Sequence, residues 1–292
     1  MTFGPGECFS IACALAWAVS VILFKRSGES LAPLPLNLFK NAVGLALMAV
    51  TALIFTGPPP LPPDAVLVAL LSGFLGIGVG DTLYFRGLNA LGASRMGIAQ
   101  TAYSPSVIVL SCVFLGERLS ALQLAGVALV IGGILLVQDA RAAHADARAL
   151  RRGLLHAVAS VFAMALGVVL AKPLLERHDF LWTVTLRLVG GAGGLLLFTA
   201  ASGRLAQVRA AFGGVRHWPQ VIAGSVLGSY VSMMLWLAGY KYTRASIAAV
   251  LNETTVLFIL ALAVLFLGER VGRRQLAGSA VAVAGVVLVV LR

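Results

Sequence analysis

The stretch ASRMGIAQTAYSPSVIVLSCVFLGERLSALQLAGVALVIGGILLV, from Ala93 to Val137, decides the fold because the chain contains a second version of it from Ala245 to Val289. At an offset of about 152 residues, about 16 of about 45 positions are identical without a gap, which indicates an internal repeat. The motifs that anchor the alignment are FLGER at 114–118 and 266–270 and QLAG at 123–126 and 275–278. Apolar composition alone does not produce a charged turn at a constant distance from a second motif.

The composition indicates a membrane protein. The chain has 292 residues, of which 60% are hydrophobic and 11% charged, and its mean hydropathy is +0.97. Soluble domains have about 25% charged residues. The apolar tracts are about 18 to 25 residues long, which is the length a helix needs to cross about 30 Å of hydrocarbon. The sequence therefore predicts an all-α bundle of transmembrane helices, because backbone groups in lipid must be satisfied within each segment.

The charged residues and the cysteines exclude other classes of protein. The net charge is +11, but Lys and Arg lie in turns between apolar tracts, which favours topology signals over nucleic-acid binding. Cys8, Cys13 and Cys112 all lie in apolar tracts, so we expect buried free thiols and no disulfide framework. The N-terminus lacks a basic region before its first apolar tract, so we expect that tract to be a membrane span and not a signal peptide.

Ten membrane spans are predicted, five in each copy of the repeat. Their approximate bounds are Cys8–Phe24, Leu36–Phe55, Ala65–Leu88, Gly97–Leu115, Ala121–Val137, Leu154–Ala171, Phe180–Ala201, Pro219–Tyr240, Ile247–Leu267 and Gln275–Leu291. The polar stretch DARAAHADARALRR separates the copies. We therefore predict a first five-helix repeat at 1–138, a polar connector at 139–152 and a second five-helix repeat at 153–292.

The odd number of spans per copy predicts that the second repeat is inverted in the membrane relative to the first. Inverted repeats build two related half-gates around a site near the membrane midplane. The repetition extends to the start of each copy at an offset of about 147, where Lys25 pairs with Lys172, Lys40 with Arg187, and Gly44 with Gly191.

Three features resemble the drug/metabolite transporter superfamily and its EamA-type branch. They are the ten spans in two five-helix copies, the aromatic-rich end of the first span from Trp17 to Lys25, and the duplicated Leu-Gly-Glu-Arg turn before Leu-Ala-Gly. Within that branch the chain looks most like YddG-type amino-acid exporters. The usual Trp-Gly of the first span is Trp17-Ala18 here. The resemblance implies a secondary carrier in the bacterial inner membrane. We therefore expect no enzyme activity and no catalytic residues.

Two orientations remain open. The turns between spans one and two, three and four, five and six, seven and eight, and nine and ten contain about fourteen Lys and Arg, against about six in the other set. This bias predicts that both termini lie outside. The family resemblance implies that both termini lie in the cytoplasm.

Polar and aromatic side chains at mid-depth are the candidates for a substrate path, because such groups are costly in lipid. The predicted substrate-binding residues are Trp17, Tyr84, Gln100, Tyr103, Ser104, Trp236, Asn252 and Thr255. Gln100 and Asn252 are equivalent in the repeat, as are Tyr84 and Trp236. Each amide or hydroxyl alone is equally compatible with a hydrogen bond between helices, and each aromatic ring with simple packing. Trp182, Trp218, Tyr240 and Tyr242 are predicted to form interfacial belts.

Asp81 and Glu253 are the acids that lie well inside predicted spans. A lone buried carboxylate favours its protonated form, so both are candidates for proton coupling. The alternative is pairing with Arg86, Lys40 or Arg187 near span ends. Glu117-Arg118 and Glu269-Arg270 are expected to act as turn and capping residues. Pro105 is expected to bend span four beside the site.

The sequence therefore predicts a secondary transporter that exports small organic metabolites, with amino acids as the favoured substrates, aromatic or otherwise neutral. A multidrug or other metabolite carrier is the alternative. A channel and an intramembrane enzyme are further alternatives, although no motif of a hydrolase, a metalloprotease or a phosphate-binding loop is present. The expected partners are a small-molecule substrate and the lipid bilayer, with no nucleic acid, no cofactor, no metal and a monomeric state.

Overall fold

The computed structural model describes residues 4–27, 31–58, 61–91, 100, 102–137, 147–267 and 272–290, and every regular element in them is helical. The α-helices are α1 (Pro5–Ser27), α2 (Pro33–Thr56), α3 (Pro63–Gly73), α4 (Asp81–Leu91), α5 (Tyr103–Leu115), α6 (Ala121–Val137), α7 (Ala147–Arg177), α8 (Phe180–Ala201), α9 (Leu205–Ala211), α10 (Trp218–Ser225), α11 (Ser232–Tyr242), α12 (Ala245–Asn252), α13 (Thr255–Leu267) and α14 (Arg273–Val290). A π-helix at Phe74–Gly80 joins α3 to α4, a second at Val226–Val231 joins α10 to α11, and Phe212–Gly214 is a 3-10 turn.

Among the described residues, six helical segments are long and apolar enough to cross a membrane, and four shorter apolar helices lie at the remaining predicted positions. Large apolar side chains also cover the outer surface, for example Phe55, which is 76% exposed, and Leu197, which is 71% exposed. Contact of such an apolar outer surface with lipid tails is favourable, whereas its contact with water is unfavourable. The predicted all-α membrane fold is confirmed, while the number of ten crossings stays a prediction.

Several helix boundaries differ from the sequence predictions. Span nine was expected to be continuous, but Glu253 and Thr254 interrupt it between α12 and α13. Helix α7 begins at Ala147, inside the predicted connector, so its first turns extend beyond the apolar segment. Pro105 is the third residue of α5. N–H groups in the first turn of a helix have no intrahelical acceptor, so the missing N–H of proline costs no hydrogen bond there. Pro105 therefore lies at the start of a helix instead of bending one.

The same irregularities recur in both copies. The two π-helices begin at Phe74 and Val226, and α5 and α13 begin at Tyr103 and Thr255, which are pairs separated by about 152 residues in the repeat alignment. Neither π-helix was predicted from the sequence, because apolar periodicity does not distinguish a π segment from an α-helix. Their recurrence extends the internal repeat from sequence to backbone geometry.

Equivalent helices of the two copies pack antiparallel. The start of α6 meets the end of α14, since the Gln123 side-chain amide donates a hydrogen bond to the Val289 carbonyl at 3.4 Å. Small residues bring the two backbones together: a β-carbon on Gly126 would lie 2.8 Å from the Gly285 oxygen, and one on Gly133 would lie 2.6 Å from the Gly278 oxygen. Glycines of this kind allow close approach of helices in membranes.

The copies also interlock through their other helices. Helix α1 packs against α10 and α11, and its counterpart α7 packs against α3 and α4. At the π-helices, Gly44 of α2 lies against Ser229, and Gly191 of α8 lies against Ile77. These two contacts are equivalent in the repeat, so each π-helix receives a glycine from the opposite copy. The region between the copies therefore contains residues from both.

The thiols lie in two environments. Cys13 is buried and its sulfur lies 3.4 Å from the Ser232 hydroxyl. Cys8 and Cys112 are exposed on the outer surface, so the expectation that all three are buried is wrong for these two. All three are free thiols. Whether a cysteine is buried depends on how its helix is rotated about its own axis. An apolar tract without a polar face does not indicate that rotation.

Candidate functional site

A cluster of polar and aromatic side chains lies between the copies, and we call it the central cluster: Tyr103, Ser104, Trp236, Tyr240 and Glu253. The hydroxyl groups of Tyr103 and Tyr240 lie 2.9 Å apart. The Ser104 hydroxyl donates to Glu253 Oε1 at 3.2 Å. The Trp236 and Tyr240 rings meet edge to face with centroids 5.4 Å apart. Hydrogen bonds therefore connect the start of α5 in the first copy with α11 and the α12–α13 break in the second.

The break between α12 and α13 positions the acid. Glu253 follows the last residue of α12, and the chain turns there through bonds from its N–H to the Val250 oxygen at 3.1 Å and from the Thr254 N–H to the Leu251 oxygen at 3.1 Å. Glu253 is 9% exposed. Broken helices whose ends point into a bundle are a common way to build a substrate site at mid-depth.

The amide of Asn252 is engaged within its own helix. Its Nδ2 donates to the Ala248 oxygen at 2.8 Å, and the Thr255 hydroxyl donates to the Asn252 carbonyl at 2.7 Å. In the part of the chain that the structure describes, the buried Oδ1 of Asn252 has no hydrogen-bond partner. Gln100 is a half-buried helical residue, and residues 92–99 and 101 on either side of it are outside the described residues. The predicted pairing of the two amides stays a prediction.

The other two predicted aromatic residues lie at the edges of this region. Trp17 on α1 lies against the second π-helix, with its ring 3.3 Å from the position of a β-carbon on Gly228. Tyr84 on α4 stands one turn after Asp81 and is half-buried. The described hydrogen bonds of the central cluster connect Tyr103, Ser104 and Glu253 among the predicted residues, and Trp236 joins them through its ring contact.

Tyr240 was missed as a site residue. We expected it in an interfacial belt, but it is fully buried and bonded to Tyr103. Its place at the end of an apolar tract gave no indication of the inward direction of its side chain. Trp182 is also buried, at 9% exposure, and its indole N–H donates to the Gly57 oxygen at 2.8 Å, whereas Tyr242 is 54% exposed as expected of a belt residue.

Arg187 is a second buried group that the sequence placed wrongly. It is 1% exposed and lies well inside α8, not near its end. Its Nη1 donates to the Ser72 hydroxyl and to the Gly167 oxygen, both at 2.7 Å. It therefore ties α8 to α3 and α7 and does not pair with Asp81. The signal that pointed to it is its equivalence to Lys40, since a basic residue recurs at the same place in both copies.

Asp81 pairs with Lys40. The Lys40 Nζ lies 3.2 Å from Asp81 Oδ2, and the Lys40 side chain is 9% exposed. The sequence left three candidate partners open for Asp81, and the structure selects this one. The pair connects α2 with the start of α4 directly after the first π-helix.

A cavity of about 750 Å³ opens at the face of the bundle that contains Thr243, and we call this face the N-terminal face because Glu7 accepts a hydrogen bond there from the Thr243 hydroxyl at 3.0 Å. The charged residues that line it are Glu117, Lys172, Glu176, Arg177, Lys241 and Arg244. Lys172 Nζ donates to the Tyr240 and Thr243 carbonyls at 2.9 Å each and to Glu176 at 2.6 Å. Lys172 therefore lies between the cavity and the backbone of the central cluster at Tyr240.

The Gly-Glu-Arg turn of the first copy caps a helix of the second copy. Gly116 ends α5 with φ 66°, a left-handed conformation that favours glycine. Glu117 then accepts hydrogen bonds from the Ala245 N–H at 2.7 Å and from the Ser246 N–H at 3.1 Å and hydroxyl at 2.6 Å. The expected capping role is confirmed for Glu117, while Glu269 and Arg270 lie outside the described residues.

Replacing Glu117 with alanine is expected to lower the free energy of unfolding by about 1 to 2 kcal/mol, because it removes the acceptor for the N–H groups at the start of α12. Asp64→Ala is the control, since it removes an exposed carboxylate from the first turn of α3 and should cost only about 0.3 to 1 kcal/mol. Thermal unfolding of the purified variants in detergent measures both. Equal losses in the two variants would contradict the capping role.

Comparisons with known proteins agree with this architecture. The family model described as the EamA-like transporter family matches residues 4–138 and 151–291. An "Uncharacterized transporter" from Archaeoglobus fulgidus is 24% identical over 283 residues, which is 97% of this chain and 96% of that protein. A protein of known crystal structure has the same fold with a TM-score of 0.81 over 98% of this chain and 96% of its own, at 17% sequence identity. The chain is an integral membrane protein that belongs to the EamA-like transporter family.

Proposed function

We propose that the chain is a secondary active transporter that exports small organic metabolites by alternating access, with amino acids as its substrates, from the inner membrane of a bacterium. Membership of a transporter family and a full-length relative named as a transporter support transport in place of an enzyme activity. The observation that carries the proposal is the central cluster, because it is buried, polar and aromatic, and built from both copies of the repeat.

The side chains of the central cluster suit a small solute with a polar and an apolar end. The hydroxyl groups of Tyr103 and Ser104 offer donors and acceptors. Outside the cluster but next to Glu253 in the chain, Asn252 has a buried Oδ1 without a partner among the described residues, which is a further acceptor. The Trp236 ring offers an apolar surface and a face that attracts an ammonium group. Sites of this composition bind small organic molecules by a few placed polar groups among apolar ones.

The two buried acids have different roles in this proposal. Asp81 is held in an ion pair with Lys40, which supports a structural role. Glu253 is bonded to the neutral Ser104 and has no cation within a salt-bridge distance among the described residues. A carboxyl group in that position can gain and lose a proton during transport. Glu253, and not Asp81, is therefore the proposed proton carrier.

The inverted repeat provides the gates. Helices α6 and α14 run antiparallel, both copies contain a π-helix at equivalent positions, and α5 and α13 begin at equivalent residues. These repeated irregularities support two half-gates around one site, which is how inverted repeats alternate access. The 750 Å³ cavity at the N-terminal face supports a state in which that face is the more open one. A cavity of about 270 Å³ lies at the opposite face, lined by Asn37, Thr82 and Arg86 among others.

Uptake of labelled amino acids into liposomes that contain the purified protein tests the proposal. We expect saturable uptake that unlabelled substrate competes away. Tyr103→Phe should raise the KM for transport about 2- to 10-fold, because one hydroxyl contact is worth about 0.5 to 1.5 kcal/mol. Tyr230→Phe is the matched control, since the Tyr230 hydroxyl also bonds to another helix, at 2.7 Å from Thr51, outside the central cluster.

The two parts of the proposal fail in different ways. If no amino acid gives saturable uptake, the assigned substrate class is wrong. If amino acids are transported but Tyr103→Phe and Tyr230→Phe have the same KM as the unmodified protein, the central cluster is not the binding site.

A further inference from the structure

Three of the five N–H donors of the Arg187 guanidinium have no hydrogen-bond partner among the described residues. Both hydrogens of Nη1 are engaged, by the Ser72 hydroxyl and the Gly167 carbonyl. The Nε and Nη2 atoms are buried and have no hydrogen-bond partner among the described residues. A guanidinium keeps its charge in proteins. A buried charge with unused donors is costly, so these atoms are placed to meet another group.

The unused atoms form one edge. In a guanidinium, the N–H of Nε and one N–H of Nη2 point the same way and lie parallel, which matches the two oxygens of a carboxylate. The bonds from Nη1 hold the group from its other side, because Ser72 belongs to α3 and Gly167 to α7. The edge is thus fixed before a ligand arrives, which lowers the entropy cost of binding.

Neither of the two acids that lie well inside the predicted spans bonds to Arg187 among the described residues. Asp81 is bonded to Lys40, and Glu253 is bonded to Ser104. Leu188 and Val168, which adjoin Arg187 and Gly167 in the chain, belong to the same buried cluster as Tyr240, and Tyr103 and Trp236 pack against that cluster. The open edge of Arg187 therefore belongs to the same buried region as the central cluster.

The repeat explains why the edge is open. Lys40 of the first copy is equivalent to Arg187 of the second, and Lys40 is neutralised by Asp81. The position equivalent to Asp81 in the second copy, at the offset of about 152, is Met233. The first copy thus supplies its own counter-charge and the second copy does not. A ligand carboxylate at Arg187 takes the place that Asp81 takes at Lys40.

We propose that the Nε and Nη2 edge of Arg187 binds the carboxylate of the transported solute. This inference rests on the proposed transport function and narrows it, since it makes a carboxylate the required recognition element. The solute then extends from Arg187 toward the Tyr103 and Tyr240 hydroxyls and the Trp236 ring. Amines and amides that lack the carboxylate are excluded as good substrates.

Ligand-induced thermal stabilisation of the purified protein tests the inference without requiring transport. The probes are L-phenylalanine, L-leucine, L-methionine and L-threonine, each compared with the amine that lacks its carboxylate, together with 3-phenylpropionate, which lacks the ammonium group. We expect carboxylate-bearing probes to bind at least about 10-fold more tightly than the corresponding amines, because charge-assisted hydrogen bonds are worth about 1.5 to 3 kcal/mol. Arg187→Gln should abolish this preference, and Arg187→Lys should weaken it.

The exposed Arg209 provides the matched control, because Arg209→Gln removes the same charge on α9 and should leave the preference unchanged. Equal binding of amines and carboxylates to the unmodified protein overturns the inference, even if the Arg187 variants do not fold. Absence of stabilisation by any carboxylate-bearing probe also overturns it. Binding of 3-phenylpropionate without binding of any amino acid supports the inference and contradicts the amino-acid assignment of the proposed function.

Discussion

Replacing Asp81 with asparagine is expected to lower the free energy of unfolding by about 3 to 5 kcal/mol, because the buried Lys40 ammonium then has no counter-charge. The pair is short, at 3.2 Å, and Lys40 is largely shielded from solvent, so neither bulk water nor salt replaces the lost charge. Unfolding of the purified variants by heat or by added denaturing detergent measures the loss.

A double variant, in which methionine replaces Lys40 and leucine replaces Asp81, tests whether the unpaired charge causes the loss of stability. Removing both charges together leaves no uncompensated ion, and we expect it to recover most of the stability that the single change loses. Asp64→Asn is the control for the loss of one exposed acidic charge. A double variant as unstable as Asp81→Asn would contradict the ion pair as the cause.

Replacing Gly133 with alanine is expected to cost about 1 to 3 kcal/mol, because a β-carbon there would lie 2.5 Å from the Ala282 nitrogen and 2.6 Å from the Gly278 oxygen. Both atoms belong to the backbone of α14, so the helices must separate to admit the methyl group. The neighbouring residue is the matched control. A β-carbon on Gly132 would meet nothing within 4 Å, and Gly132→Ala should be neutral or slightly stabilising.

The two glycine variants distinguish close helix packing from helix propensity. Both substitutions bring the same gain in propensity, and only the contact with α14 differs. Thermal unfolding in detergent should show a lower midpoint for Gly133→Ala alone. A shared change in both variants would show that α6 and α14 do not pack as closely as the glycines at 126, 133, 278 and 285 indicate.

The sequence predicted the membrane fold because apolar tract length and repeated motifs are local properties. It did not predict the π-helices or the break at Glu253, since each depends on hydrogen bonds that apolar periodicity does not report. The capping role of Glu117 could be predicted because a charged Gly-Glu-Arg turn lies outside the apolar tracts. Its actual partners, Ala245 and Ser246, are remote in sequence and required the structure.

The site could be predicted only in part. Tyr103, Ser104, Trp236 and Glu253 were found because polar and aromatic groups at mid-depth are costly without a role. Tyr240 was expected in an interfacial belt and Arg187 near a span end, and both are buried. The direction in which a side chain points depends on helix rotation and tilt, which the surrounding helices determine. The equivalence of Lys40 and Arg187 in the repeat was the sequence signal for the second basic residue. Met233 stands at the position equivalent to Asp81, so Arg187 lacks the counter-charge that Lys40 has.

Counterflow in liposomes tests the central claim most directly, namely that this family member carries amino acids through a site with alternating access. Liposomes containing the purified protein are loaded with a high concentration of an unlabelled amino acid and diluted into a trace of the labelled one. A carrier exchanges one for the other, so we predict a transient accumulation of label above its external concentration. A slow, monotonic approach to equilibrium, or entry no faster than into protein-free liposomes, would contradict the account.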